Sequence, residues 1–427
     1  MPVQAPVIPS AATSRAAYAF VLIVSLFFLW GVANNLNDIL IKQFKKAFEL
    51  SDFRAGLVQS AFYAGYFLLA LPASLITRSL GYKAALLIGL GLYATGAFLF
   101  YPAAALRTYA LFLGALFIIA SGLAFLETAA NPLITVLGPA EGAARRLNLA
   151  QSFNPLGSIT GVIIGQHFIF SGVELTSPQL AGMSANARAT YYASQSAAVP
   201  GPYLVIGVVV LVWMLLIALV TLPSAAGRGA GYPARGAQIR ELLRNINLLL
   251  AIVAQFFYVG AQVGIWSYLI RYAQQTLPGT SERSAADFLT VALVMFMIGR
   301  FAGTALMRYL PPARLLAIFA SVALALVTVA LILPGRVGTE ALVATAFFMS
   351  IMFPTIFALG LRGLDDADRK IASSFLVMAI IGGATLTVAM GAISDAAGIH
   401  RAMIVPILCF AVVLGFARYT RRLRTAV

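Results

Sequence analysis

The sequence predicts an all-α membrane protein, with twelve transmembrane helices in two pseudo-symmetric six-helix halves. Three observations predict it. Of 427 residues, 61% are apolar and only 10% charged, and the mean hydropathy is +0.92. Twelve apolar runs approach the length of a membrane span, and the second half of the chain repeats motifs of the first.

A hydrocarbon core about 30 Å thick takes roughly 20 helical residues to cross. Lipid offers the backbone no partners outside a helix or a closed barrel, and the runs lack the short alternating strands of a barrel. In the first half they cover 19–41, 55–77, 83–104, 108–137, 150–170 and 202–223; in the second, 246–271, 287–309, 313–333, 339–360, 371–393 and 401–418. The organisation expected is a segment 1–18, a six-helix half 19–223, a linker 224–245, a second half 246–418 and a tail 419–427. Residues 1–20 carry one Arg before an apolar run, but that run is too long for a signal peptide and reads as a retained first span.

The net charge of +15 comes from 29 basic and 14 acidic residues. The basic residues flank the spans, which argues against a nucleic-acid partner and for membrane topology. Arg145, Arg146, Arg235, Arg240, Arg244, Arg369, Lys370, Arg421, Arg422 and Arg424 fall on one side if both termini are cytoplasmic, the positive-inside arrangement. Cys409 is the single cysteine, and His167 and His400 do not pair at metal-ligand spacing, so no metal or disulfide is expected.

"NPLITVLG" at 131–138 resembles "FPTIFALG" at 353–360, and "FFLWG" at 27–31 resembles "FFYVG" at 256–260. Two repeated six-helix halves joined by a polar linker describe a transporter whose site lies between the halves near the midplane.

Charged residues at mid-bilayer are costly and normally face a cavity or a partner. Three stand out: Asp38 near one end of span 1, Glu127 in the middle of span 4 and Arg300 in span 8. At 100° per residue, Trp30, Asn34, Asn37 and Asp38 share one side of span 1, and Asn35 widens the polar arc to roughly 160°. Glu127 and Asn131 share a face of span 4, where Pro132 weakens the backbone ladder. Gln151 and Asn154 continue the pattern in span 5; Gln255, Tyr258, Gln262 and Trp266 do so in span 7. Carboxylates, amides and indoles together suit a hydroxyl-rich ligand such as a monosaccharide. The amides equally suit interhelical hydrogen bonding, and the indoles simple packing. Arg300 is expected to pair with a carboxylate or backbone carbonyls as a structural latch, with Pro354 shaping span 10. An enzyme is disfavoured, because there is no metal motif, phosphate loop or nucleophile–histidine pair.

The strings "FLWGVANNLNDIL", "LETAANP", "RLNLAQSFN", "YVGAQVGIWSYLIRYA" and "SSFLVMAIIGGA" together resemble the fucose/proton symporter family of the major facilitator superfamily. The resemblance implies the major facilitator fold, alternating access and proton-driven uptake of a monosaccharide, with L-fucose favoured. It implies no cofactor beyond the coupling proton, residence in a bacterial-type inner membrane, and a functional monomer. Asp38 and Glu127 become the protonatable carboxylates; Trp30, Asn34, Asn35, Asn131, Gln151, Asn154, Tyr258, Gln262 and Trp266 form the sugar site; Arg300, Pro132 and Pro354 are structural or gating. Glucose/galactose members of the family differ in lacking the Asn pair in span 1 and in carrying an acid where Gln262 stands. Two departures concern this chain: Arg78 in "SLITRSLGYK" replaces the acid of the superfamily loop motif, and Phe353 replaces the Tyr of the fucose branch's "YPTIF". The alternatives are a glucose/galactose/proton symporter of the same family and, after it, an uncoupled facilitator, a drug exporter and a sugar-sensing membrane receptor.

Overall fold

The computed structural model describes residues 20–32, 52–106, 108–164, 200–220 and 236–425, together with Tyr18, Leu222 and a few residues between 182 and 191. Asn34, Asn35 and Asp38 lie outside the described residues.

Nine segments of the described chain are long and apolar enough to cross a membrane. One of them, Ala61–Ala105, holds two spans, because the backbone turns at Gly81. Gly81 has φ 87°, a conformation that a side chain would disfavour, so the turn needs this residue. The helices are α1 (Phe20–Val32), α2 (52–80), α3 (82–105), α4 (Tyr109–Val136), α5 (Ala143–Gln151 and Phe153–Ile164) and α6 (Pro200–Leu219). After a short linker helix, Gly236–Leu242, come α7 (Ile246–Thr276), α8 (Glu282–Leu306), α9 (Pro312–Ile332) and α10 (Arg336–Met349 and Met352–Gly360). The last two are α11 (Asp366–Met378 and Gly382–Ala397) and α12 (Ile404–Thr425). Each predicted run meets one of these twelve helices.

Helix starts carry the caps that free amides need: Asn245 Oδ1 accepts from Leu248 N, Ser281 Oγ from Ser284 N, and Asp365 Oδ1 from Asp368 N. The interruptions also have local causes. A proline has no N–H and its ring crowds the carbonyl four residues earlier. Accordingly α5 breaks at Ser152, just before Pro155, and α10 breaks at 350–351, just before Pro354. A 3-10 turn, Ala379–Ile381, interrupts α11 ahead of the Gly382–Gly383 pair.

Helices in lipid associate by close backbone approach at small residues. A Cβ on Gly31 would stand 2.0 Å from the Asn154 carbonyl oxygen, so α1 and α5 are in backbone contact there. In the second half Gly260 packs against Leu386, and Gly382 against the Phe256 carbonyl, at the crossing of α7 with α11. These crossings involve the same repeated segments, "FFLWG" and "FFYVG", and they give the two halves the same internal packing.

One end of the bundle gathers the connections near the linker. Lys83 Nζ donates to the Ala218 and Val220 carbonyls at the end of α6, and Asn247 Nδ2 donates to Leu359 O and Gly360 O at the end of α10. Arg146 closes the end of α4, donating to the carbonyls of Ile134, Thr135, Gly138 and Pro139. Partial burial pulls its guanidinium below the usual range, with Glu141 opposing the shift. At this linker end the halves meet along a seam where α2 and α4 pack on α11, and α5 packs on α8 and α10.

Candidate substrate and proton site

Helix α4 is buried without interruption from Ile119 to Thr135, so its polar residues face protein or cavity rather than lipid. Glu127 sits in the middle of that stretch, 2% exposed, and its Oε2 has no hydrogen-bond partner. Asn131, one helical turn on, is fully buried. Its Oδ1 accepts from Gln151 Nε2 at 3.1 Å, while its own Nδ2 has no partner. A buried unpaired polar group costs about 1–3 kcal/mol. Two adjacent ones, an acceptor and a donor, mark a place suited to a polar ligand or water.

On the neighbouring side, Trp30 Nε1 donates to the Tyr66 hydroxyl at 2.7 Å, and the Trp30 ring stacks on Phe27 at 5.6 Å. Tyr66 is buried on α2, which packs along α4. Asn154 Nδ2 donates to the Phe27 carbonyl at 3.3 Å, bracing α5 on α1.

In the second half, Arg300 is 4% exposed. Its Nε donates to Ser350 O at 2.7 Å, its Nη1 donates to Gln151 O at 3.0 Å, and its guanidinium lies over the Phe296 ring at 4.6 Å. Among the described residues no carboxylate lies within ion-pair range of it. Trp266 packs edge-on against the same Phe296 ring at 5.1 Å, with its buried indole N–H unpartnered. Gln262 is half-buried. The Tyr258 hydroxyl is fully buried and donates to Met349 O at 3.0 Å, so its proton is committed to packing α7 on α10. Phe353 lies edge-on to the Tyr258 ring at 6.4 Å.

From Asn131, one turn beyond Glu127, contacts run through Gln151, Arg300 and Phe296 to Trp266, with the Trp30–Tyr66 pair on the neighbouring α1 and α2. Pro132 follows Asn131 inside α4, and Pro354 opens the second piece of α10. Sequence reasoning missed Tyr66, which in "AFYAGYFLLA" is one aromatic among many. It also missed Phe296, although its position four residues before Arg300 is the helical spacing for a ring beneath a guanidinium. Gln255, seen only as part of a stripe, is fully buried with both amide atoms unpartnered.

At the linker end the seam is polar. Asn148 Nδ2 donates to Thr355 Oγ1 at 3.0 Å, and Tyr82 Oη donates to Asp366 Oδ1 at 3.0 Å. Lys370 pairs with Asp366 at 2.7 Å and lies over the Tyr82 ring at 4.8 Å. With Arg78 standing where the superfamily motif has an acid, the start of α3 reaches α11 through Tyr82.

Two helical halves around a buried carboxylate and amides define a multi-pass transporter of the alternating-access type. The family model described as the Major Facilitator Superfamily matches residues 18–379, and the chain belongs to that superfamily. It is a close homologue of the L-fucose-proton symporter of Escherichia coli (strain K12), 48% identical over 411 residues, covering 95% of this chain and 94% of the relative. A glucose/galactose transporter of Brucella abortus is 37% identical over 402 residues, covering 93% of each. The crystal structure of the superfamily transporter FucP in its outward conformation superposes with a TM-score of 0.87 at 48% identity, covering 95% of this chain and 99% of that one.

Proposed function

We propose that this protein is a proton-coupled monosaccharide symporter whose preferred substrate is L-fucose. The observation that carries the reading is Glu127, a buried carboxyl with an unpartnered oxygen, one turn from an amide with an unpartnered N–H. The relative named as an L-fucose-proton symporter supports the choice of sugar and ion.

In this reading Glu127 and Asp38 take and pass the proton. Protonation removes the cost of burying charge during closure, so the carboxyl and the sugar move together. Trp30, Asn34, Asn35, Asn131, Gln151, Asn154, Gln262 and Trp266 hold the sugar hydroxyls and its apolar face, with Tyr258 supporting α7 from behind. Arg300, Pro132 and Pro354 shape the moving elements. The halves, 19–223 and 246–418, rock about the sugar and are joined by the linker 224–245. The protein works as a monomer in the inner membrane. The basic residues around the linker put that end, and both termini, on the cytoplasmic side.

The test is a pH recording from proteoliposomes offered L-fucose, D-galactose, D-glucose, D-arabinose or N-acetylglucosamine. L-fucose is expected to drive the largest proton entry. A response to D-glucose and D-galactose alone would move the substrate to that of the glucose/galactose relatives. Silence with every sugar would sink the reading.

A further inference from the structure

A helix carbonyl is normally occupied by the amide four residues on, and a proline at that position leaves it without a donor. Pro132 releases Thr128 O, Pro155 releases Gln151 O and Pro354 releases Ser350 O. Each of these three carbonyls lies within hydrogen-bond reach of a side-chain donor of the second half, the one Ser373 proton serving Thr128 O or Lys370 O in turn. Ser373 Oγ lies 3.0 Å from Thr128 O, Arg300 Nη1 is 3.0 Å from Gln151 O, and Arg300 Nε is 2.7 Å from Ser350 O. The first two bonds cross the seam.

We infer that carbonyls released by Pro132 and Pro155 are the receptors of the linker-end seam, and that Arg300 is a positioning residue acting on the substrate site through Gln151. The inference rests on the alternating-access reading above. Its geometry explains how the seam parts without stranding a charge. Arg300 keeps Ser350 O, in its own half, when it lets go of Gln151 O. Ser373 has a single proton, and its own-helix acceptor, Lys370 O, is already at 2.7 Å. Both donors therefore retain a partner in the second half, and only the carbonyls of the first half pass to water. While the seam is closed, Arg300 pins the Gln151 backbone at the break in α5. The Gln151 side chain, which holds Asn131, is then presented in one orientation.

The test compares the full-length protein with Pro155→Ala and Ser373→Ala in nanodiscs. Pro155→Ala returns an N–H that competes for Gln151 O; Ser373→Ala removes the donor to Thr128 O. Backbone hydrogen exchange in 143–151 and 366–378 is expected to rise about fivefold, the equivalent of one ordinary hydrogen bond, with exchange in 312–332 unchanged. Unchanged exchange at the seam, or an equal rise in 312–332, overturns the seam. The half-saturating sugar concentration in counterflow is expected to rise by a similar factor for Pro155→Ala, and an unmoved value overturns the positioning role. The exchange readout needs no sugar, so failure of the transport reading is separable from failure of this one.

Discussion

Gln151 Nε2 donates to Asn131 Oδ1 across α5 and α4 at 3.1 Å, and the backbone oxygen of the same Gln151 receives Arg300 from the other half. One residue therefore holds Asn131 through its side chain and meets the opposite half through its main chain. Gln151 thus links Asn131 to Arg300, one contact through its side chain and one through its backbone.

Replacing Gln151 with Met keeps its length and removes its amide. Asn131 then loses its one partner and is left with a second unpaired atom at a cost of about 1–3 kcal/mol. Sugar uptake is expected to fall by about tenfold or more while the backbone bond to Arg300 persists. Radiolabelled uptake alongside a thermal-unfolding curve checks this; normal uptake would contradict it.

Glu127→Gln mimics the protonated carboxyl and cannot release a proton. Sugar exchange down its gradient should continue, and proton-driven accumulation should be lost. Counterflow and pH recordings on the same vesicles separate the two. Undiminished proton entry would remove Glu127 from the coupling path.

The Trp30–Tyr66 bond predicts non-additivity. Trp30→Phe and Tyr66→Phe each delete the same buried hydrogen bond, worth about 1 kcal/mol, or roughly fivefold in sugar affinity. The double variant should therefore be little worse than either single one. Tryptophan-fluorescence titration with sugar measures it, and simple additivity would show that the pair does not act as a unit.

Phe353→Tyr places a hydroxyl beside Tyr258, where the fucose branch of the family carries a phenol. The ratio of L-galactose to L-fucose uptake is expected to rise by about threefold or more, since L-galactose carries a C6 hydroxyl that L-fucose lacks and a site that hydrogen-bonds a hydroxyl discriminates against the analogue lacking it. Competition uptake reads the ratio, and an unchanged ratio would mean that position 353 does not see the sugar.

At the linker end, Lys370→Met removes both the pair with Asp366 and the cation over Tyr82. Exposed ion pairs contribute little, but Lys370 is only 6% exposed in its side chain. Breaking the pair leaves Asp366 with the Tyr82 hydroxyl alone. The expected result is a seam that opens more readily, read as faster labelling of a cysteine introduced at position 148 in a Cys409→Ser background. Unchanged labelling would show that this cluster does not hold the seam.

The residues of the candidate site were picked out in the sequence because hydrocarbon makes polarity conspicuous. Glu127, Asn131 and Gln151 stood out from apolar neighbours, and helical spacing put the first two on one face. Tyr66 and Phe296 were not legible, because aromatic residues are inexpensive in a membrane and nothing local marks their partners. Spacing placed Tyr258 in a polar stripe but could not show that its hydroxyl donates to a backbone carbonyl 91 residues away.

The sequence by itself determined the number, order and repeat of the helices, because a solvent without hydrogen bonds makes each span a local decision of length and polarity. Its prolines likewise determined where helix carbonyls would be free. The tertiary structure decided which donors reach them. Arg300 and Gln151 stand 149 residues apart in the chain, and only the rotation and tilt of packed helices bring them within 3.0 Å. Those angles are set by glycine-mediated backbone contacts such as Gly31 on Asn154, which depend on surfaces assembled from both ends of each half.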